Sequence, residues 1–287
     1  TGWILFAYQS TAKLKWLALA LFLLNPLVLF EGVVNAHNDV MMTLFLVLAL
    51  FSLKRFPLLT LTFFLLAVFT KLFVVVLFPF FVVELLRRGM RWSSFVLSAG
   101  VAALVSASFF IPFWANGKML SFWVYSSTIS QQLENASLFS LLREYLRLTQ
   151  APEMGGLARD LSTGLFLILA GFVFYLYMKR RMDFEIALIM TLLLFGLFVS
   201  LLYPWYFLPV FAIIALYPKT AEWRFMAIFT FCGLLFYPLS IWAFFNAGFT
   251  SKFQVHLFQA ALLTLPIVGY LAFKAFLTSK NLSSQKE

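Results

Sequence analysis

Charge is the scarcest commodity in this chain. Only 11% of its 287 residues are Asp, Glu, Lys or Arg, against about 25% in a soluble domain, too few to cover a water-facing surface. A single cysteine, Cys232, excludes an internal disulfide and any cysteine metal cluster. The two histidines, His37 and His256, define no metal site by themselves, and neither a His-Glu-x-x-His pattern nor a nucleotide-binding glycine loop is present. The pattern therefore demands no cofactor and leaves a divalent metal ion open. Strict alternation of apolar and polar residues is missing from stretches such as 41–51 and 186–202, which excludes a β-barrel.

What is abundant is apolar: 63% of residues are hydrophobic and 20% aromatic. Hydrophobic runs of 15–23 residues recur along the chain, and roughly 20 apolar residues cross a bilayer as a helix. The expected fold is all-α, a polytopic membrane bundle of about ten spans, at 14–30, 38–53, 56–70, 72–86, 93–113, 161–178, 184–202, 206–217, 224–246 and 254–277. Spans 56–70, 72–86 and 206–217 are short, as tilted or re-entrant helices are. Residues 1–287 are expected to form one transmembrane domain. Thr1 in place of a methionine, and an apolar tail over residues 3–8, suggest a natural N-terminal part upstream.

Orientation follows from the basic residues. With Lys13 and Lys15 in the cytoplasm, alternation of loops gathers 15 of the 21 lysines and arginines on that side. The net charge is then +10 inside and zero outside, a distribution that the membrane explains and nucleic-acid binding does not. The longest loop, 114–160, falls outside and carries an interfacial helix. Leu138, Leu141, Leu142, Tyr145, Leu146 and Leu148 share one face of it, opposite Ser140, Arg143, Glu144 and Arg147.

Four polar features fall on the outer face. The first is Asn25-Pro26, then Glu31, then Asn35-Ala36-His37-Asn38-Asp39 between apolar segments. Ionisable groups at membrane depth are costly and tend to be kept for function. His37, Asp39 or Glu31 can move protons, and Asn35 and Asn38 can grip sugar hydroxyls or phosphate; the plainer role for Asn38 or Asp39 is capping the next helix. The second is Lys71, after Thr70 at the apex of the 56–86 hairpin, a natural phosphate partner that could equally snorkel to the surface. The third is Tyr203-Pro204-Trp205-Tyr206, whose rings suit a sugar, an isoprenoid or an interfacial belt. The fourth is the loop opening at Pro112-Phe113-Trp114, where Arg143, Arg147 and Arg159 can clamp phosphate or pair with Glu144 and Asp160. The sequon Asn135-Ala136-Ser137 is too short a pattern to weigh.

The segment from Asn25-Pro26-Leu27 through Glu31 to Ala36-His37-Asn38-Asp39 resembles GT-C membrane glycosyltransferases, in particular bacterial polyprenyl-phosphate-mannose-dependent mannosyltransferases. Thr70-Lys71 before a run ending in Pro79, Pro112-Phe113-Trp114, and Tyr203-Pro204-Trp205-Tyr206 follow in matching order, over roughly residues 20–210. The resemblance implies transfer of a hexose, mannose first, from a polyprenyl-phosphate donor to a lipid-linked glycan or protein acceptor. It places the enzyme in a bacterial plasma membrane, with its active site on the non-cytoplasmic side. Such enzymes typically take their base from an acidic residue in the first outer loop, which here would precede residue 1. Asp39 or Glu31 is the visible alternative, Lys71 the phosphate ligand, and Tyr203, Trp205 and Tyr206 the lining of the way in. The competing function is a transporter or flippase of a lipid-linked sugar. It requires a polar path through both membrane halves, whereas the inner halves of these spans are almost wholly Leu, Phe, Val and Ala.

Overall fold

The computed structural model describes residues 1–9, 11–118, 121, 137–148, 154–199, 202–217, 220–245 and 252–283. Every regular element among them is helical. Contacts divide the chain into two compact units. The first comprises Thr1–Leu133, Ala170–Leu192 and Trp205–Pro218, and the second Glu134–Leu169, Leu193–Pro204 and Lys219–Glu287.

In the first unit, α1 (Gly2–Tyr8) and α2 (Ala12–Leu23) precede a short α3 (Pro26–Leu29). One continuous span over 14–30 was expected; instead the chain bends by 54° between α2 and α3. The cause is local: Pro26 has no N–H to continue α2, and Asn25 Oδ1 accepts from the Leu27 and Val28 N–H groups at 2.9 and 3.1 Å, starting a new helix. α3 widens into a π-turn over Phe30–Val34, and the chain then turns at Ala36, whose φ is +51°. Gly32 lets this turn lie against the next helix, since a Cβ there would sit 2.8 Å from Val40 Cγ2.

Helix α4 (Asp39–Arg55) follows, then a 3₁₀ turn at Pro57–Leu59 and α5 (Thr60–Thr70), which packs back along α4. Lys71 is extended, and a 3₁₀ stretch, Leu72–Leu77, leads into α6 (Phe78–Arg87). Helix α7 (Trp92–Phe110) lies beside α5, tied to the Pro57 turn where Ser98 Oγ donates to the Leu58 carbonyl at 2.7 Å. Helix α6 ends in a paired-bond cap, Gly89 N–H to Leu86 O at 3.0 Å and Met90 N–H to Leu85 O at 3.1 Å, with Gly89 at φ +83°.

Two long helices contribute a part to each unit: α8 is Leu138–Leu148 of the second, α9 is Met154–Met178 and α10 is Phe184–Phe198. In the first unit Phe80 packs on Phe174 and Tyr177, and Phe81 on Phe184. After a 3₁₀ turn at Pro204–Phe207, α11 (Leu208–Leu216) is buried at every position and packs against α4 and α2. Its C-terminal carbonyls are met by buried Gln9, which donates to Leu216 O at 2.6 Å and Ala215 O at 3.3 Å. In the second unit, α12 (Thr220–Phe245) pairs with α13 (Lys252–Ser283), and α8 lies against α13. Glu222 bridges the helix pair, accepting from Tyr270 Oη at 3.1 Å and from Lys274 Nζ.

Helix α8 exposes Leu138, Leu142 and Tyr145 but buries Phe139 and Ser140. The sequence pattern places Ser140 on the polar face of this helix, with Arg143, Glu144 and Arg147. Ser140 folds inward because its hydroxyl and that of Ser137 each accept from the other's backbone N–H at 3.0 Å, a reciprocal cap.

Among the described residues four helices are long and apolar enough to cross a bilayer, over Trp92–Phe109, Asp160–Met178, Glu222–Trp242 and Gln254–Phe276; the bent pair Ala12–Leu23 and Pro26–Val34 makes a fifth if it is one broken span rather than a re-entrant loop. Only 11% and 17% of the first two stretches are buried. Their apolar surfaces face outward, which water does not permit and lipid does. This is a helical membrane protein. Shorter apolar helices occupy Pro57–Thr70 and Pro204–Leu216, where short spans were expected, and Phe184–Phe198, where a longer one over 184–202 was.

Candidate active site

The polar residues between α3 and α4 sit where regular helix stops. The π-turn puts Glu31 inside the first unit with no solvent exposure, and the turn at Ala36 brings the chain back over it. Asn35 Nδ2 donates to Glu31 Oε2 at 2.9 Å, and His37 Nε2 lies 3.5 Å from the same oxygen. The His37 backbone N–H donates to the Glu31 carbonyl at 3.1 Å. π-turns of this kind recur at functional sites because they redirect side chains without ending the helix.

His37 does not stand alone. Its imidazole stacks on the Trp205 indole, with ring centroids 3.7 Å apart and planes 21° from parallel. Trp205 meets Tyr206 edge-on at 6.2 Å, and Tyr206 meets Phe73 edge-on at 5.7 Å. Lys71 Nζ lies 5.1 Å from the centre of the Tyr206 ring and 3.1 Å from Asp39 Oδ2. Asp39 is wholly buried, while the Lys71 side chain is 25% exposed. The cation thus stands between a buried carboxylate and the outside.

Asp39 is only half satisfied. Lys71 balances Oδ2 as an ion pair, but neither carboxylate oxygen has a hydrogen-bond partner among the described residues, and Oδ1 has no ion-pair partner there either. One turn further along α4, the buried Thr43 hydroxyl also lacks one. Buried polar groups are ordinarily paired, and the hydroxyls of Thr60 and Thr62 on α5 are in the same condition as that of Thr43.

The structure therefore brings six sequence candidates into one cluster: Glu31, Asn35, His37, Asp39 and Lys71 with Trp205, and Tyr206 extends it. Asn38 occupies the cap position of α4, exposed, and its side chain makes no capping bond. Tyr203 belongs to the second unit, where its ring packs on Phe236 at 6.3 Å. Arg143 and Arg147 are carried on α8, but their side chains lie outside the described residues, as does that of Arg159. Among the described residues no three His, Cys, Asp or Glu side chains gather to hold a metal ion.

Thr43 was not anticipated, although its spacing of four from Asp39 puts it on the same helix face. The Asp39–Lys71 pairing also had a signal. Asp39 opens α4 and Lys71 closes α5, so an α4–α5 hairpin turning at Pro57–Leu59 brings them to the same end. The stack of His37 on Trp205 had none, because nothing local links residues that far apart.

Residues 8–87 match a family model described as alpha-(1->6)-mannopyranosyltransferase, N-terminal domain. The match supports mannosyl transfer. It contains Glu31, Asn35, His37, Asp39 and Lys71, and stops well short of Trp205. No curated protein and no solved structure matches the chain.

Proposed function

We propose that this chain is a polyprenyl-phosphate-sugar-dependent mannosyltransferase of the GT-C type. It moves mannose onto a lipid-linked glycan or protein acceptor at the non-cytoplasmic face of a bacterial plasma membrane. The observation that carries the reading is the buried Asp39–Lys71 pair, which lies inside the segment that matches a mannosyltransferase family. An outer face has no pool of nucleotide sugars, so a lipid carrier must supply the sugar through the bilayer. An α-(1→6) linkage is the first to test, by that family's description.

In this mechanism the acceptor hydroxyl attacks the anomeric carbon, the bond from that carbon to the phosphate oxygen breaks, and polyprenyl phosphate leaves. Asp39 takes the acceptor proton on Oδ1, the oxygen without an internal partner. Lys71 swings from Oδ2 toward the donor and offsets the charge that develops on the departing phosphate. Trp205 and Tyr206 give the sugar or isoprenoid a flat apolar wall, and Glu31 with Asn35 holds His37 beneath it. Asn38, Tyr203, Arg143 and Arg147 remain candidate donor or acceptor contacts. The membrane arrangement proposed with it has about ten crossings and the basic flank in the cytoplasm.

The test is incubation of the purified chain, in lipid, with radiolabelled polyprenyl-phosphate mannose and membrane acceptors. Label entering a new glycoconjugate, and lost in Asp39→Asn, supports the reading; movement of intact carrier between leaflets without transfer refutes it. Single cysteines at positions 37, 71 and 205, in a Cys232→Ser background, should all react with an impermeant thiol reagent from outside. Labelling from opposite sides would dissolve the site.

A further inference from the structure

Helix α4 carries a second polar concavity at its other end. Its 17 residues rise about 25 Å from the Asp39 turn to Lys54 and Arg55, so this region is remote from the candidate active site. Two clefts of the first unit share a wall there. The larger, about 630 Å³, is lined by Lys54, Arg87, Arg88 and Arg180 together with Glu84, Asp183 and Glu185. The smaller, about 440 Å³, is lined by Leu53, Pro57, Leu85 and Met90 as well as Lys54 and Arg88. Lys54 and Arg88 thus line both clefts.

The charges are not all used internally. Glu84 is saturated: Oε1 accepts from Arg88 Nε at 2.8 Å, and Oε2 accepts from Tyr177 Oη at 2.6 Å. Arg87 donates to the Tyr177 and Met178 carbonyls, at 3.2 and 2.8 Å, closing the end of α9. Lys54 lies over the Tyr8 and Tyr217 rings, at 4.2 and 5.7 Å, and neither it nor Arg180 has a carboxylate within ion-pair distance among the described residues. Four cations face three carboxylates, leaving one positive charge over.

The backbone adds a second, independent sign. Helix α9 ends in the same paired-bond cap as α6, Arg180 N–H to Tyr177 O at 3.0 Å and Arg181 N–H to Leu176 O at 2.9 Å. At the left-handed position α6 has Gly89, at φ +83°, whereas α9 has Arg180, at φ +56°. Glycine takes that conformation freely and arginine does not. A long cation is held at backbone cost at the lip of the cleft, as strained residues are at sites that use them.

We propose that this end of the first unit binds one anionic glycerophospholipid. Its phosphodiester, with a single negative charge, sits among Lys54, Arg88 and Arg180 in the larger cleft. Its glycerol and first acyl carbons run along Pro57 and Met90 in the smaller one. Ammonium and guanidinium groups are the ordinary partners of lipid phosphate, and basic pockets between membrane helices take acidic headgroups. The site owes nothing to the catalytic reading, and its failure would leave that reading untouched.

The experiment is thermal unfolding of the chain in phosphatidylcholine nanodiscs, with and without phosphatidylglycerol. The melting temperature should rise by about 3 °C with the anionic lipid, and the rise should vanish in Arg180→Gly and in Lys54→Met. Arg180→Gly should melt no lower than the parent in pure phosphatidylcholine, because glycine relieves the backbone. An equal rise in both variants would overturn the site. The same rise from inorganic phosphate in phosphatidylcholine discs would replace the lipid with a free anion and overturn the assignment. A loss of stability in Arg180→Gly without anionic lipid would make Arg180 a structural cap.

Discussion

The two ends of helices α4 to α6 carry the same kinds of group in opposite conditions. At the basic end, Glu84 gives one oxygen to Arg88 and the other to Tyr177. At the candidate active site, Asp39 is more deeply buried, yet among the described residues only Oδ2 has an ion-pair partner and neither oxygen accepts a hydrogen bond. A saturated carboxylate is a rivet: its bonds are satisfied in the resting protein and gain nothing from a ligand. A half-satisfied buried carboxylate carries a desolvation cost that an incoming hydroxyl would lift. The difference in occupancy, more than in burial, separates structural acid from candidate base.

The comparison breaks most visibly in the transfer assay. Asp39→Asn should lower mannosyl transfer by about 10²- to 10⁴-fold while the protein stays folded, since an amide is neutral where Asp39 is wholly buried. Glu84→Gln should do the reverse, leaving transfer within a few-fold but lowering stability by about 1–3 kcal/mol through its bonds to Arg88 and Tyr177. Matching activity losses in the two variants would erase the distinction. The readouts are initial rate and chemical unfolding in the same detergent.

Removal of the cation comes next. Lys71→Met strands a buried carboxylate, because Lys71 is the ion-pair partner of Asp39, and should cost about 3–5 kcal/mol. The double variant Asp39→Asn with Lys71→Met should regain most of that stability without regaining transfer, a coupling that a mutant cycle measures directly. If Lys71→Met alone costs under about 1 kcal/mol, Asp39 has another source of balance and does not depend on its ion pair with Lys71. A smaller effect is expected on the aromatic side. Trp205→Ala removes the ring stacked on His37 and should cost about 1 kcal/mol, with KM rising more than kcat falls; Trp205→Phe should restore most of both.

Much of this site was legible in the sequence because polar residues in an apolar chain are conspicuous. Asn35 to Asp39 stand out between hydrophobic runs, and Lys71 is the lone cation for many residues on either side. The helices, too, fall within a few residues of the hydrophobic runs, apart from the bend at Asn25-Pro26, where hydrophobicity continues but the backbone donor is lost. What could not be read was partnership across the fold. Trp205 and Tyr203 look like members of one motif, yet the two compact units divide between Pro204 and Trp205. Only one of the pair is seen beside His37. Arg180 in a left-handed cap was equally invisible, because nothing distinguishes it from the neighbouring Lys179 and Arg181 until the backbone is known.

The finest division lies between two threonines. Thr191 and Thr264 donate to the carbonyls four residues back, Ala187 at 2.8 Å and Ala260 at 2.7 Å, as hydroxyls inside apolar helices ordinarily do. Thr43 is just as buried, but its hydroxyl finds no partner among the described residues, one turn from Asp39, whose carboxylate accepts no hydrogen bond there. Valine has nearly the same shape without the hydroxyl, so the two positions should respond with opposite sign. Thr191→Val removes a made bond and should cost about 1 kcal/mol with transfer unchanged. Thr43→Val removes an unmet one and should be neutral or stabilising by up to about 1 kcal/mol. Its transfer should nevertheless fall several-fold, and Thr43→Ser should recover it, if the hydroxyl holds the acceptor or a water beside Asp39. Should Thr43→Val instead lose stability and keep its rate, the hydroxyl has a partner within the protein. The space beside Asp39 would then be filled before any sugar arrives.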